Sequence, residues 1–180
     1  QKRSLPEFVQ SVGLITSRDG VVIHDFRNNL RKIGIKVYFY DTRVEGKDAI
    51  PGIVEALSWF NSQKIDIDIV VIARGGGSLE SLQAFDNELV ARAIYASKIP
   101  TIAAIGHHVD IPIANLVADK EVSTPTSAAY AVNATWDRLF IWLPRYTQDI
   151  LKSFMDSFKV TKEKIKDFGH SISKFYKEGI

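Results

Sequence analysis

IDIVVIARGGGS, residues 67–78, is the stretch on which the fold turns. Its first seven residues are dominated by isoleucine and valine and read as a strand. The near-continuous apolar run predicts a strand buried on both faces, as in a parallel sheet covered by helices. The three glycines that follow are a sharp change of chemistry at the strand's carboxyl end. On either side the same alternation recurs. Upstream lie a helical stretch over 48–62, with Ile53, Ala56, Leu57 and Phe60 on one face, and the strand KVYFY at 36–40. Before them come a helical stretch over 21–33 (Val22, Phe26, Leu30 and Ile33, with Gly34 as its C-cap) and the strand SVGLIT at 11–16. Downstream, residues 84–96 read as a helix and TIAAI at 101–105 as a fourth strand. The order β-α-β-α-β-α-β predicts a doubly wound α/β domain, with a mainly parallel sheet and helices on both faces.

In such a sheet ligands bind at the carboxyl ends of the strands, near a switch in strand order. The unusual polar segments fall there: TSRDG after the first strand, RGGGS after the third and GHHVD after the fourth. A division at 127/128 is expected between this domain and a helical tail. In the tail, apolar residues from Trp136 to Phe175 step by three or four, as in a coiled-coil or helical-hairpin seam. Pro144 is expected to kink or interrupt that helix, and Gly169 to weaken it. Lysines beyond residue 152 read either as a solvated helix face or as a docking arm.

Composition narrows the classes. Hydrophobic residues make up 46% of the 180, and the formal net charge of +2 is too small to argue for nucleic acid by itself. With no cysteine, disulfides, thiolate metal sites and cysteine nucleophiles are excluded, which fits a reducing cytoplasm. No apolar run reaches the roughly 18 residues of a membrane span. No secretory leader pattern opens the chain, and a start at Gln1 is expected of a trimmed or processed chain.

RGGGS is a phosphate site by its chemistry. Gly75, Gly76 and Gly77 let the backbone turn and present N–H groups to an anion, Ser78 can cap a following helix, and Arg74 offers a two-pronged donor. The bland alternative is a flexible turn with a structurally paired arginine. Neither the phosphate-gripping ending of a P-loop nor the dinucleotide fingerprint is present, which disfavours an ATPase or a dehydrogenase. In GHHVD, His107 can move a proton near neutral pH, and Asp110 can orient it, bind a metal or position water. Thr16 and Ser17 belong to the same rim. Asp25, in the first helix, reads by itself as a solvated charge. STPT at 123–126 reads as a helix start with proline in the first turn, and the hydroxyls of Thr124 and Thr126 can also contact phosphate.

Taken together, VGLITS, VEG with Ala49 and Ile53, IARGGGSLE, the F-x-N-E ending at Glu88, IPTIAAIGH and VADKEVSTPTSAA resemble the exodeoxyribonuclease VII large subunit over residues 5–134. The resemblance implies a cytoplasmic hydrolase that cuts single-stranded DNA from either end into short 5′-phosphorylated oligonucleotides. It implies that Asp25, Arg74, His107 and Asp110 are catalytic. It also implies that an OB-fold normally precedes this region, that the helical region binds several small subunits, and that the full-length protein is a hetero-oligomer. Mg2+ dependence varies across the family, so a metal at Asp25 and Asp110 stays open. The chain differs from the family pattern at His108, Ser81, Leu82, Gln83, Glu121, Tyr130 and Glu45. The alternative reading is a phosphate, nucleotide or single-strand binding module whose catalysis has decayed.

Overall fold

A computed structural model of the chain describes residues 2–76, 82–106 and 111–179. It divides into two compact units, Gln1–Thr135 and Trp136–Ile180.

The first unit is the α/β domain. In chain order its elements are β1 (Ser11–Thr16), α1 (Val22–Asn29), β2 (Lys36–Asp41), α2 (Ala49–Ser62), β3 (Ile69–Ala73), α3 (Glu88–Ala96), β4 (Thr101–Ala104), α4 (Ile113–Val117) and β5 (Lys120–Val122), followed by the start of α5 (Pro125–Glu178). The five strands pair in parallel throughout, in the order β2-β1-β3-β4-β5.

The IVVIA of β3 is buried along its whole length, between β1 and β4. Successive side chains point to opposite faces of a strand, and they divide the core in two. Val70 and Ile72 join Ile53, Leu57 and Phe60 of α2 and Val90 and Ile94 of α3 on one face. Ile69, Val71 and Ala73 join Val22 and Phe26 of α1 and Ala128, Ala129 and Val132 of α5 on the other. The continuous apolar run is therefore required by burial on both sides. Gly13 in β1 serves the same packing, because a Cβ there would sit 2.8 Å from the buried ring of Phe60.

Several boundaries differ from the sequence reading. The first helix ends at Asn29, four residues before the expected end, and Leu30 is already extended. The buried Asn133 of α5 stops it: its Oδ1 accepts from the Arg31 N–H at 3.0 Å, and its Nδ2 donates to the Asn29 carbonyl at 2.8 Å. Gly34, with φ +88°, therefore turns the chain toward β2 and does not cap the helix. β3 starts at Ile69 because Asp68 is engaged beforehand, its carboxylate accepting from the backbone of Gln10 and Ser11. The third helix starts at Glu88, where Asn87 caps the Leu89 N–H at 2.9 Å, and residues 82–86 form turns. The fourth strand ends at Ala104, one residue short of the expected end. The short α4 and β5 were not expected from sequence. α5 begins at Pro125, slightly before the expected start, and it continues through Pro144.

A second fastening ties the N-terminal segment to the amino ends of β4 and β5. Arg3 donates two hydrogen bonds from its side chain to the Asp119 carboxylate, at 2.7 and 3.0 Å, and others to the carbonyls of Ser97, Lys98 and Ile99. Asp119 also accepts from the N–H and hydroxyl of Thr101. Burial would raise the pKa of this carboxyl; the hydrogen bonds from Arg3 and Thr101 and the charge of Arg3 outweigh it and hold it at about 2.

The second unit consists of the remainder of α5, with its side chains exposed from Arg138 onward. Phe140, Leu143, Ile150, Phe154, Phe158, Ile165, Phe168, Ile172 and Phe175 all lie on its surface. No helix among the described residues is long and apolar enough to cross a membrane.

Candidate active site

Parallel pairing puts the carboxyl ends of all five strands on one edge, and strand order decides where that edge opens. The chain runs outward from β1 to β2, then returns past β1 to begin β3. The loops leaving β1 and β3 therefore diverge at the switch point, where doubly wound sheets bind ligands. Thr16 and Arg74 stand there, one at the end of β1 and the other just beyond β3.

Thr16 is fully buried, and its Oγ1 has no hydrogen-bond partner among the described residues. A hydroxyl left this way costs about 1–3 kcal/mol, so it marks a position where a polar group could be accepted. Ser17 is half-buried in the following loop. Arg74 is 4% exposed. Its backbone N–H donates to the Ala104 carbonyl at 3.0 Å, and its Nη1 approaches the Ile105 carbonyl at 3.5 Å. The arginine is thus held between the ends of β3 and β4. Burial lowers its pKa from the ordinary value, while the nearby Glu45 carboxylate acts in the opposite sense. An arginine remains charged at neutral pH under such a shift, and a buried guanidinium attracts an anion more strongly than a solvated one.

Gly75 brings the loop against the first helix. A Cβ on it would sit 3.4 Å from Cγ2 of Val22, the first residue of α1. Asp25 follows in that first turn, exposed, its own N–H donating to Val21 and its carbonyl accepting from Asn29. Gly76 is exposed. Gly106, where the chain leaves β4, has φ +116°, a conformation that favours glycine. Among the sequence-predicted residues, Thr16, Ser17, Arg74, Gly75 and Gly76 come to the β1–β3 opening, with Asp25 one helical turn from the point where Gly75 meets Val22. His107, Asp110, Gly77 and Ser78 lie outside the described residues.

Thr124 and Thr126 lie at the same edge of the sheet, beyond β5. The Thr124 Oγ1 accepts from the Ser127 N–H at 3.0 Å and pairs with the Ser127 hydroxyl at 2.9 Å. Its hydroxyl is thus engaged in starting α5, the helix-start role read from STPT. Thr126 is half-buried in the first turn. Among the described residues no three His, Cys, Asp or Glu side chains cluster as a metal would require. Asp25 contributes a single exposed carboxylate, and Asp110, the other candidate ligand, is outside the described residues.

Glu45 and, elsewhere in the domain, Asn115 were not predicted as functional residues. Glu45 acts electrostatically on Arg74 from the loop between β2 and α2. Asn115 in α4 is 2% exposed, and its Oδ1 has no partner among the described residues. The only sequence signal for Asn115 is an amide inside the apolar stretch IPIANLV, and amides there are commonly satisfied.

The family described as exonuclease VII, large subunit, matches residues 1–178. Proteins named exodeoxyribonuclease 7 large subunit are similar over most of the chain. The one from Syntrophomonas wolfei is 41% identical over 155 residues, covering 85% of this chain and 38% of its own length. That from Klebsiella pneumoniae is 40% identical over 165 residues (91% and 35%). That from Haemophilus influenzae is 38% identical over 167 residues (92% and 38%). The chain thus spans little more than a third of the length of these relatives. With a doubly wound sheet whose opening carries the IARGG loop, and a family match along nearly its entire length, this chain belongs to the exonuclease VII large-subunit family.

Proposed function

We propose that the first unit is the catalytic part of an exodeoxyribonuclease that hydrolyses phosphodiester bonds of single-stranded DNA to short 5′-phosphorylated oligonucleotides. One observation carries the reading: in a chain of this family, the buried Arg74, with Gly75 and Gly76, leaves β3 at the same edge of the sheet where the buried Thr16 ends the neighbouring β1.

The chemistry follows from the residue types. Water attacks phosphorus in line and displaces the 3′-oxygen, so charge develops on the phosphoryl oxygens. Arg74 and the N–H groups of residues 75–77 stabilise that charge. His107 moves the proton, either from the attacking water or to the leaving oxygen. Asp25 and Asp110 orient His107 or the water. A divalent ion bound by these carboxylates would supply Lewis acidity, and the protein groups keep their positioning roles with or without it. The exposed apolar stripe of the second unit fits docking of exonuclease VII small subunits, which would assemble the full-length protein into a hetero-oligomer.

End-labelled single-stranded DNA at low salt, with Mg2+ or EDTA, tests the reading. The wild-type chain should release short oligonucleotides. Arg74→Ala and His107→Ala should lose roughly 100- to 10,000-fold in rate, with His107→Ala still binding DNA. Cleavage by His107→Ala at the wild-type rate would sink the mechanism. Binding without cleavage, even after addition of a small subunit, would favour a decayed binding module.

A further inference from the structure

A cleft of about 650 Å3 runs along the face of the sheet between α1 and the edge strand β2. Its floor is apolar, formed by Leu14, Ile23, Ile35, Val37 and Phe39. Its rim is cationic, formed by Arg18, Arg27, Arg31 and Lys32. No acidic side chain lines it among the described residues. Arg18 pairs with Asp41 beside it, Nε to Oδ2 at 3.2 Å. Arg27 and Lys32 are exposed.

We propose that this cleft is a docking groove for single-stranded DNA on its way to the β1–β3 opening. The inference rests on the nuclease reading and adds a surface to it. Charge complementarity selects the occupant: the exposed Arg27 and Lys32 stand on the rim beside Arg31 and the Asp41-paired Arg18, and no acidic side chain lines the groove among the described residues, as a polyanion requires. The floor selects a single strand over a duplex, because unpaired bases have apolar faces to bury and Phe39 offers a ring to pack against. The volume lies within the roughly 300–1,000 Å3 usual for ligand sites. Position supports the assignment as well. Arg18 lies two residues beyond Thr16, so one loop serves both the cleft and the opening. A strand held along α1 would enter the site with its phosphates already ordered, a cost otherwise met at the reacting bond.

The test uses the 180-residue chain and a short fluorescein-labelled oligo(dT), with binding followed by anisotropy across a salt series. Arg27→Glu combined with Lys32→Glu is compared with Lys64→Glu combined with Lys98→Glu. The second pair makes the same charge change at exposed lysines away from the cleft. Circular dichroism checks that both variants fold. The cleft variant should bind on the order of tenfold more weakly at about 50 mM salt. Its log–log salt slope should flatten by about 1.4, at about 0.7 for each phosphate that is no longer neutralised. The control should change less than about twofold, since neither lysine lines the cleft and exposed charges that do not touch the strand are screened by salt. Equal weakening in both variants, no weakening in either, or no binding by the wild-type chain overturns the proposal. So does a cleft variant that keeps its DNA affinity but no longer binds poly-glutamate, which would reassign the groove to an acidic protein segment. Cleavage of the same oligonucleotide separates the two readings. A wild-type chain that binds through the cleft without cutting leaves the cleft standing and the nuclease reading fallen. Wild-type cleavage that the cleft variant matches in both rate and affinity has the reverse meaning.

Discussion

Asp119 concentrates more interaction than any other described carboxylate, and its pH dependence can be worked out in advance. Its folded-state pKa of about 2 lies below the unfolded value near 3.9. A depressed carboxyl stabilises the fold above its unfolded pKa, and that contribution is lost as pH falls through the folded pKa. The Arg3–Asp119 cluster should therefore contribute about 2 kcal/mol at neutral pH and fade between about pH 4 and pH 2. Asp119→Asn should lower stability by about that amount at pH 7 and differ little from wild type at pH 2, in urea titrations at both values. A deficit that persists unchanged at pH 2 would show that Asp119 acts by packing alone. At this scale the sequence was uneven. Arg74 and its glycines were legible because few other arrangements follow a buried strand with RGGG. The pairing of Arg3 with Asp119 was not, since 116 residues separate the partners and nothing local distinguishes either.

The first helix shows how an element can be stopped from outside. Val22, Phe26, Leu30 and Ile33 continue the helical spacing past the point where the helix ends. The stop comes from Asn133, 104 residues beyond Asn29, whose amide takes both the free carbonyl of Asn29 and the N–H of Arg31. Removing it leaves two backbone groups without partners near the core. Asn133→Ala should cost about 1–3 kcal/mol, and amide exchange at Arg31 should rise with it. A loss below about 0.5 kcal/mol would mean that water replaces the amide without penalty. The strands were more legible than the helix ends, because period and burial act along the whole strand whereas caps depend on a few bonds. The three-residue β5, carrying Lys120 and Glu121, has too little apolar pattern to be read as a strand. It forms because β4 offers an open edge.

For the whole molecule, both core clusters fall within residues 9–132. The first unit should therefore fold by itself. A chain ending at Thr135 should melt cooperatively, with a midpoint within about 4 °C of the intact chain, the shift that about 1 kcal/mol produces in a domain of this size. A much lower midpoint would mean that the second unit supports the core. The fold class was readable from residues 11–105 because a sheet buried on both faces must be apolar along its strands and must alternate with helices. The tail's apolar stripe was readable too, since a 3.6-residue period does not depend on what covers it. Strand order, and with it the opening between the ends of β1 and β3, belongs to tertiary structure. Each strand's own sequence is equally satisfied next to any other buried strand, and only the packing of all the helices together selects β1 and β3 as neighbours. The Thr16 hydroxyl, unpartnered among the described residues, and the cationic cleft have the same origin, because both depend on which elements the tertiary fold packs around them.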